Sequence, residues 1–337
     1  MHAAAVSPRG GGVAPETTRL RGQGLIEYVL IIAIIGLVIA FAGPGVAGAI
    51  RNQFNLVGNT VNSGTNGGTE GGGATGGGSA GADSATVQAA VAKDAKDWTL
   101  GEQQAVAEDI SAKGEASPAY SKAKAAMDAG TKFSIKLTNG KALEYRIIGI
   151  NHDDLADGSG KAGLTFLTTS TGIIDRLNAG YAARWEKSEL RAKMNSGEIW
   201  NLMPSDFQSK VKLVKKLTNN AGGGEENKNA AVTATADKLF LLSYSEIVET
   251  PSSFWSSYSW IGKEGTQYEA FKGKVTAIYT SDPTHNNNPA ISIGKAWWER
   301  SAKPEYSSYA LCVGETGDPS SPSYPTNSHC ICPAWCF

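Results

Sequence analysis

Gly22-Gln23-Gly24-Leu25-Ile26-Glu27-Tyr28 leads straight into Val29-Leu30-Ile31-Ile32-Ala33-Ile34-Ile35-Gly36-Leu37-Val38-Ile39-Ala40-Phe41-Ala42. No charged side chain occurs from Tyr28 to Ile50. A run of that length is what a helix needs to cross a bilayer, roughly 20 residues. One carboxylate, Glu27, stands at its N-terminal edge. A charge beside lipid is costly unless it finds a partner, so Glu27 is a functional residue by default. The pattern predicts a long apolar helix over residues 23–57, broken or kinked at Gly43-Pro44-Gly45. Arg51 marks the return to a polar environment. Everything C-terminal is then cargo of this segment.

Upstream, residues 1–22 contain no apolar run and carry Arg9, Arg19 and Arg21 against Glu16. Such a segment reads as a basic leader held on the cytoplasmic side. Gly22, the Glu27-Tyr28 pair and the apolar run together resemble the prepilin motif of Flp (Tad-type, type IVb) pilins. The resemblance covers residues 21–57. It implies a prepilin peptidase that cuts between Gly22 and Gln23, leaving Gln23 as the new N-terminus. It also implies that Glu27 and Tyr28 serve assembly, Glu27 pairing with the Gln23 ammonium of a neighbouring pilin subunit. Removing one member of such a pair would strand a buried charge. The partners implied are the peptidase, further pilin subunits, and the membrane before assembly.

Residues 58–84 are mostly Gly, Ser, Thr and Asn, with Gly71-Gly72-Gly73 and Gly76-Gly77-Gly78. They cannot bury a core and read as a flexible tether of roughly 30 Å r.m.s. span. Flp pilins are short, so a tether and a large head depart from that pattern. Residues 85–130 place Val87, Val91, Trp98, Leu100, Val106, Ile110 and Met127 at loosely helical spacing. They predict short helices that pack on the head, with an N-cap at Thr99 and a break near Gly114.

From residue 131 the period changes to two. Phe133 to Leu137 alternates, Asn139-Gly140 is a hairpin turn, and Leu143 to Ile150 alternates again. Strands are further predicted at 164–168, 238–243, 296–301, 308–313 and 329–337, and helix at 185–196, 199–203 and 207–217. Residues 219–235 read as a polar insert. The fold class expected is therefore α+β: a long apolar pilin helix, a Gly-rich linker, and a mixed head over 131–337.

Several stretches of the head carry a second resemblance: 143–150, 185–195, 237–243, Trp297-Trp298-x-Arg300-Ser301 and Pro333-Ala334-Trp335-Cys336. They look like a bacterial domain family of unknown function whose members end in a Gly-Val-Arg-Pro-Ala-Phe-type strand. That family is similar to the C-type-lectin-like folds of formylglycine-generating enzymes and of retroelement variable proteins. Here Cys330 and Cys332 replace the usual Gly and Arg.

The four cysteines, Cys312, Cys330, Cys332 and Cys336, all lie near the C-terminus. No Cys-x-x-Cys occurs and only His329 is close by, so in an exported chain disulfides are the expectation. A Cys330–Cys332 bridge would be strained, which leaves each of them to pair with Cys312 or Cys336.

No catalytic motif is present, and the four histidines (His2, His152, His285, His329) are scattered, so neither an enzyme nor a cofactor is expected. A formal net charge of −1 argues against nucleic-acid binding. The acidic stretch at 153–160 has part of a calcium loop, but Leu155 occupies a ligand position and a solvated turn is the better reading. Five of the eight tryptophans follow Pro251, and Trp297 and Trp335 read as core. Tyr306, Tyr309 and Tyr324, among Ser and Pro, are the candidate ligand contacts.

The function expected is a subunit of a Tad/Flp (type IV) surface filament that displays an adhesin-like head. It starts as a precursor in the bacterial inner membrane, and its extracellular ligand is a glycan or a protein. The rival readings are a major subunit whose head coats the filament and a monomeric membrane-anchored receptor.

Overall fold

The computed structural model describes residues 84–182, 184–249, 255–276 and 287–337. All of these residues belong to one compact unit.

Helix α1 (Ser84–Val91) is followed by α2 (Leu100–Lys113) and α3 (Tyr120–Asp128). Thr99 starts α2 with a reciprocal capping box. Its Oγ1 accepts from Glu102 N at 3.2 Å, and its own amide donates to Glu102 Oε2 at 2.7 Å. Val106 and Ile110, one turn apart, are buried on the inner face. The helix stops at Gly114, whose φ of 58° lies in the left-handed region that glycine tolerates.

Strands β1 (Lys132–Lys136) and β2 (Ala142–Ile150) form the expected antiparallel hairpin, with Phe133 opposite Tyr145. β3 (Leu164–Thr168) pairs with β2. Then follow β4 (Ile174–Arg176), the short helices α4 (Glu189–Asn195), α5 (Glu198–Leu202) and α6 (Ser205–Gln208), and the ribbon β5 (Val214–Asn219)–β6 (Val232–Asp237). Helix α7 (Tyr244–Ile247) precedes β7 (Trp297–Ala302), β8 (Ala310–Val313), β9 (Ser321–Ser323), β10 (Ser328–Cys330) and β11 (Ala334–Cys336). The strands make a four-stranded sheet, β1-β2-β3-β11, a five-stranded sheet, β4-β10-β7-β8-β9, and the two-stranded ribbon.

The C-terminal strand closes the first sheet by placing Trp335 opposite Phe166. Trp335 packs 4.8 Å from the Tyr145 ring and 5.0 Å from Phe207, so one indole knits β2, β3 and α6 together. Tyr145 donates to Gln103 Oε1 at 3.0 Å, which ties α2 to the sheet. Burial pushes that phenol up to about 12. Trp297 and Trp335 are core, as the sequence suggests.

A lattice of buried charge locks the ribbon to α7 and β7. Arg300 grips Glu246 with both Nη atoms, at 2.5 and 2.9 Å, and donates to the Leu241 and Glu264 carbonyls. Lys216, on β5, bridges Asp153 and Glu246 and donates to Tyr268 Oη. Burial alone would raise the Asp153 pKa, but the Lys216 ammonium outweighs it and holds that carboxyl far below the usual carboxylate range. Burial would likewise raise Glu246, and Arg300 and Lys216 bring it down. Glu264 goes the other way: burial lifts it to about 7, against the pull of Arg300.

The structure corrects several expectations. The described residues form a plain α+β fold of mixed helices and sheets, and no helix among them is long and apolar enough to cross a membrane. That replaces the expected class built on a long apolar helix carrying a lectin-like head. The basic leader at 1–22, the apolar helix at 23–57 and the tether at 58–83 fall outside the described residues, and with them Gly22, Gln23, Glu27 and Tyr28. Helix over 207–217 gives way to α6 ending at Gln208 and to β5. The end of the polar insert at 219–235, from Val232 on, returns as β6, paired with β5. Residues 239–242 are fully buried but form no strand: they meet the sheets at the isolated bridge Phe240–Ala334 and where the Arg300 amide donates to the Leu242 carbonyl at 2.9 Å.

The expected disulfides are not formed: Cys312, Cys330, Cys332 and Cys336 are all free and buried. The topology explains part of this. Cys312 pairs with Trp298 on one side of β7, and Cys330 pairs with Trp297 on the other. Two strand spacings are about 9.5 Å, beyond the roughly 7 Å that a bridge tolerates between Cα atoms. Cys336 belongs to the other sheet, where its thiol donates to Asp153 Oδ2 at 3.4 Å.

Candidate functional site

The sheet β4-β10-β7-β8-β9 sends several of its connections to one place. The segment after β4 runs beside the one before β10, where the Asn178 amide donates to the Pro325 carbonyl at 3.0 Å. This brings Tyr181 edge-on to Tyr324, with ring centroids 5.3 Å apart. Tyr309, just before β8, stacks on Tyr324 at 4.2 Å and donates its hydroxyl to Tyr324 Oη at 2.6 Å. That hydrogen bond holds the Tyr309 phenol above its ordinary value. Tyr181 and Tyr324 are 48% and 39% exposed, whereas Tyr145, Tyr244 and Tyr268 are buried, which sets this cluster apart as surface.

The former polar insert buttresses the cluster. Gly223 donates to the Tyr181 carbonyl at 3.0 Å, and Ser307 Oγ to the Glu225 carbonyl at 2.6 Å. At Gly222 a Cβ would sit 2.2 Å from the Ala182 carbonyl oxygen, so only glycine permits this approach. Arg184 lies underneath at 1% exposure, donating to the Ala221 and Tyr309 carbonyls. Burial draws its pKa down to about 10. Its Nη1 has no hydrogen-bond partner among the described residues.

Of the three predicted contacts, the structure brings Tyr309 and Tyr324 together. Tyr306 is exposed but lies under the Lys303 ammonium, 4.6 Å from its ring centroid. Tyr181 escaped the sequence reading. Its only local signal is a large aromatic in the small-residue run Ala179-Gly180-Tyr181-Ala182. Aromatic rings held in place on a surface offer contact area at low entropy cost, for stacking against apolar or sugar faces.

The acidic stretch at 153–160, read as a solvated turn, commits its first two carboxylates to protein partners. Asp153 turns inward to Lys216 and Tyr268, and Asp154 pairs with Lys161 at 2.8 Å. Among the described residues no group of three His, Cys, Asp or Glu side chains could hold a metal.

The architecture and the cluster together define a mixed α+β domain with a surface cluster of tyrosines. Residues 163–336, just over half of the chain, match the family described as a domain of unknown function (DUF6273), and the chain belongs to that family. The match starts just before β3 and so contains every tyrosine of the cluster, while β1, β2 and the three leading helices precede it. No curated protein and no solved structure matches the chain.

Proposed function

We propose that this chain is a pilin-type subunit of a Tad/Flp surface filament, and that its C-terminal domain is the binding module it displays. The Tyr181–Tyr309–Tyr324 cluster carries the binding half of the reading. It is an exposed aromatic surface on a domain that buries nearly all of its other large rings. The display half rests on Gly22, the Glu27-Tyr28 pair and the charge-free run behind them. In this reading a prepilin peptidase cuts between Gly22 and Gln23 while the precursor is held at the bacterial inner membrane. Glu27 then registers each subunit against its neighbour, and the tether lets the domain reach an extracellular glycan or protein.

The test of binding is an array of glycans and surface proteins probed with the full-length protein and with a Tyr309→Ala/Tyr324→Ala variant. A central aromatic contact is worth roughly 2 kcal/mol, or about 30-fold in affinity. The reading therefore expects the double variant to lose any specific signal while keeping its folded circular dichroism. Unchanged binding by the variant would remove the cluster from the contact surface.

A further inference from the structure

The rings of Tyr181, Tyr309 and Tyr324 stand in an uncharged setting. Their chain neighbours are Gly180, Ala182, Ser308, Ala310, Ser323 and Pro325. The side chains that act electrostatically on the Tyr309 phenol are Tyr324 and Tyr181, with no carboxylate, ammonium or guanidinium among them. Tyr258 differs: burial, then Glu305 and Glu226, raise its phenol. Arg184 is buried beneath the cluster and is no partner for a ligand on the surface. The buttressing loop continues from its glycines into Glu225 and Glu226, so it adds negative charge. An anionic ligand finds no counter-charge here and meets like charge close by.

The polar groups on offer are hydroxyls. Tyr324 Oη accepts the Tyr309 proton at 2.6 Å, which leaves the Tyr324 hydroxyl its own proton, with no acceptor for it among the described residues. The rings do not close into a cage. Tyr309 and Tyr324 cover one face of each other at 4.2 Å, and Tyr181 meets Tyr324 edge-on at 75°. A cation held by aromatic faces needs several of them to converge.

Contact area separates a glycan from a protein. A whole aromatic side chain buries roughly 150–250 Å². Two half-exposed rings therefore supply a small part of the roughly 800 Å² per partner of a stable protein interface. A pyranose with equatorial substituents is a better match in size: it has a bare C–H face and a rim of hydroxyls. Taking the cluster as the contact surface proposed above, we infer that it binds an uncharged glycan of equatorially linked pyranoses, with sugar faces on the Tyr181 and Tyr324 rings and a sugar oxygen on the Tyr324 hydroxyl.

Saturation-transfer NMR on the full-length protein tests this with cellotetraose and chitotetraose, both uncharged, and with a hyaluronan tetrasaccharide, which carries carboxylates. Cellotetraose or chitotetraose should bind at millimolar concentration or below, with transfer strongest at the axial ring protons, and hyaluronan at least tenfold more weakly. Tyr324→Phe keeps the ring and removes only the hydroxyl, and should weaken the neutral sugar several-fold. Tyr181→Ala, at an exposed position and so no threat to folding, should weaken it at least tenfold. Failure of both neutral sugars to bind, equal binding of hyaluronan, or neutral binding indifferent to both substitutions would each overturn the assignment. If the Tyr309→Ala/Tyr324→Ala variant instead loses a protein or an anionic ligand on the array, the cluster stays a contact surface and only its assignment to neutral glycans falls.

Discussion

Lys216 shows how much one residue can hold. It sits at 2% exposure between two carboxylates, with its ammonium over the Phe240 ring, 3.9 Å from the centroid. Truncating it strands Asp153, and breaking a buried pair from one side costs roughly 3–5 kcal/mol. Lys216→Met should therefore lower stability by about that amount in urea unfolding, a far larger loss than at exposed Lys124. Glu299 is the opposite case, a fully buried carboxyl with no hydrogen-bond partner among the described residues. Burial, then Glu264 and Asp318, raise its pKa well above normal despite Arg300. Acids with raised folded pKa values bind protons on folding that the unfolded chain has released, so they cost stability as pH rises. For Glu264 that loss runs from its ordinary value of 4.5 to about 7, and Glu299 extends it further. Asp153 and Glu246, whose pKa values are depressed, act at the other end: their contribution is present above the ordinary carboxylate range and lost as pH falls below it. Stability should peak in mild acid and fall through neutrality, and Glu299→Gln should flatten the alkaline side in melts from pH 5 to 9. A maximum at pH 8 would contradict this account of the two glutamates.

Elements were legible where local chemistry was self-sufficient. Thr99 and Glu102 announce α2, and Asn139-Gly140 with its flanking alternation announces the β1–β2 hairpin. Thr99→Ala should cost about 1 kcal/mol, read as a shift in the urea midpoint with an unchanged slope. β5 was hidden because its inward positions include Lys216, Thr218 and Asn219, polar residues that become core only through partners more than 25 residues away in sequence, such as Glu246 and Glu264. Residues 239–242 misled in the other direction, since four buried apolar side chains suit an extended segment with or without a ladder. The cysteines illustrate the same limit: proximity in sequence says nothing of β7 standing between Cys312 and Cys330. The tyrosine cluster was half legible, because Tyr309 and Tyr324 lie in suggestive surroundings whereas Tyr181 arrives through the pairing of β4 with β10. The loop at Gly222 should be brittle. Gly222→Ala forces a carbonyl clash, so it should dislodge Tyr181 and reduce binding without unfolding the sheets, visible as shifted tyrosine-ring resonances.

At the scale of the whole molecule the domain and the segment before it make separate claims. The buried lattice, the closing β11 strand and the leading helices account for a domain that holds its shape while Tyr181 and Tyr324 stay outside. Filament assembly is a claim about Gly22, Gln23, Glu27 and Tyr28. Glu27→Ala should abolish incorporation into filaments while the protein is still made and processed, and immunoblots of sheared surface material would read this directly. The most direct measurement is the mature N-terminus of surface-borne protein by intact-mass and peptide mass spectrometry. The account predicts a chain that begins at Gln23. A chain that keeps residues 1–22, or one cut after the apolar run, would contradict it.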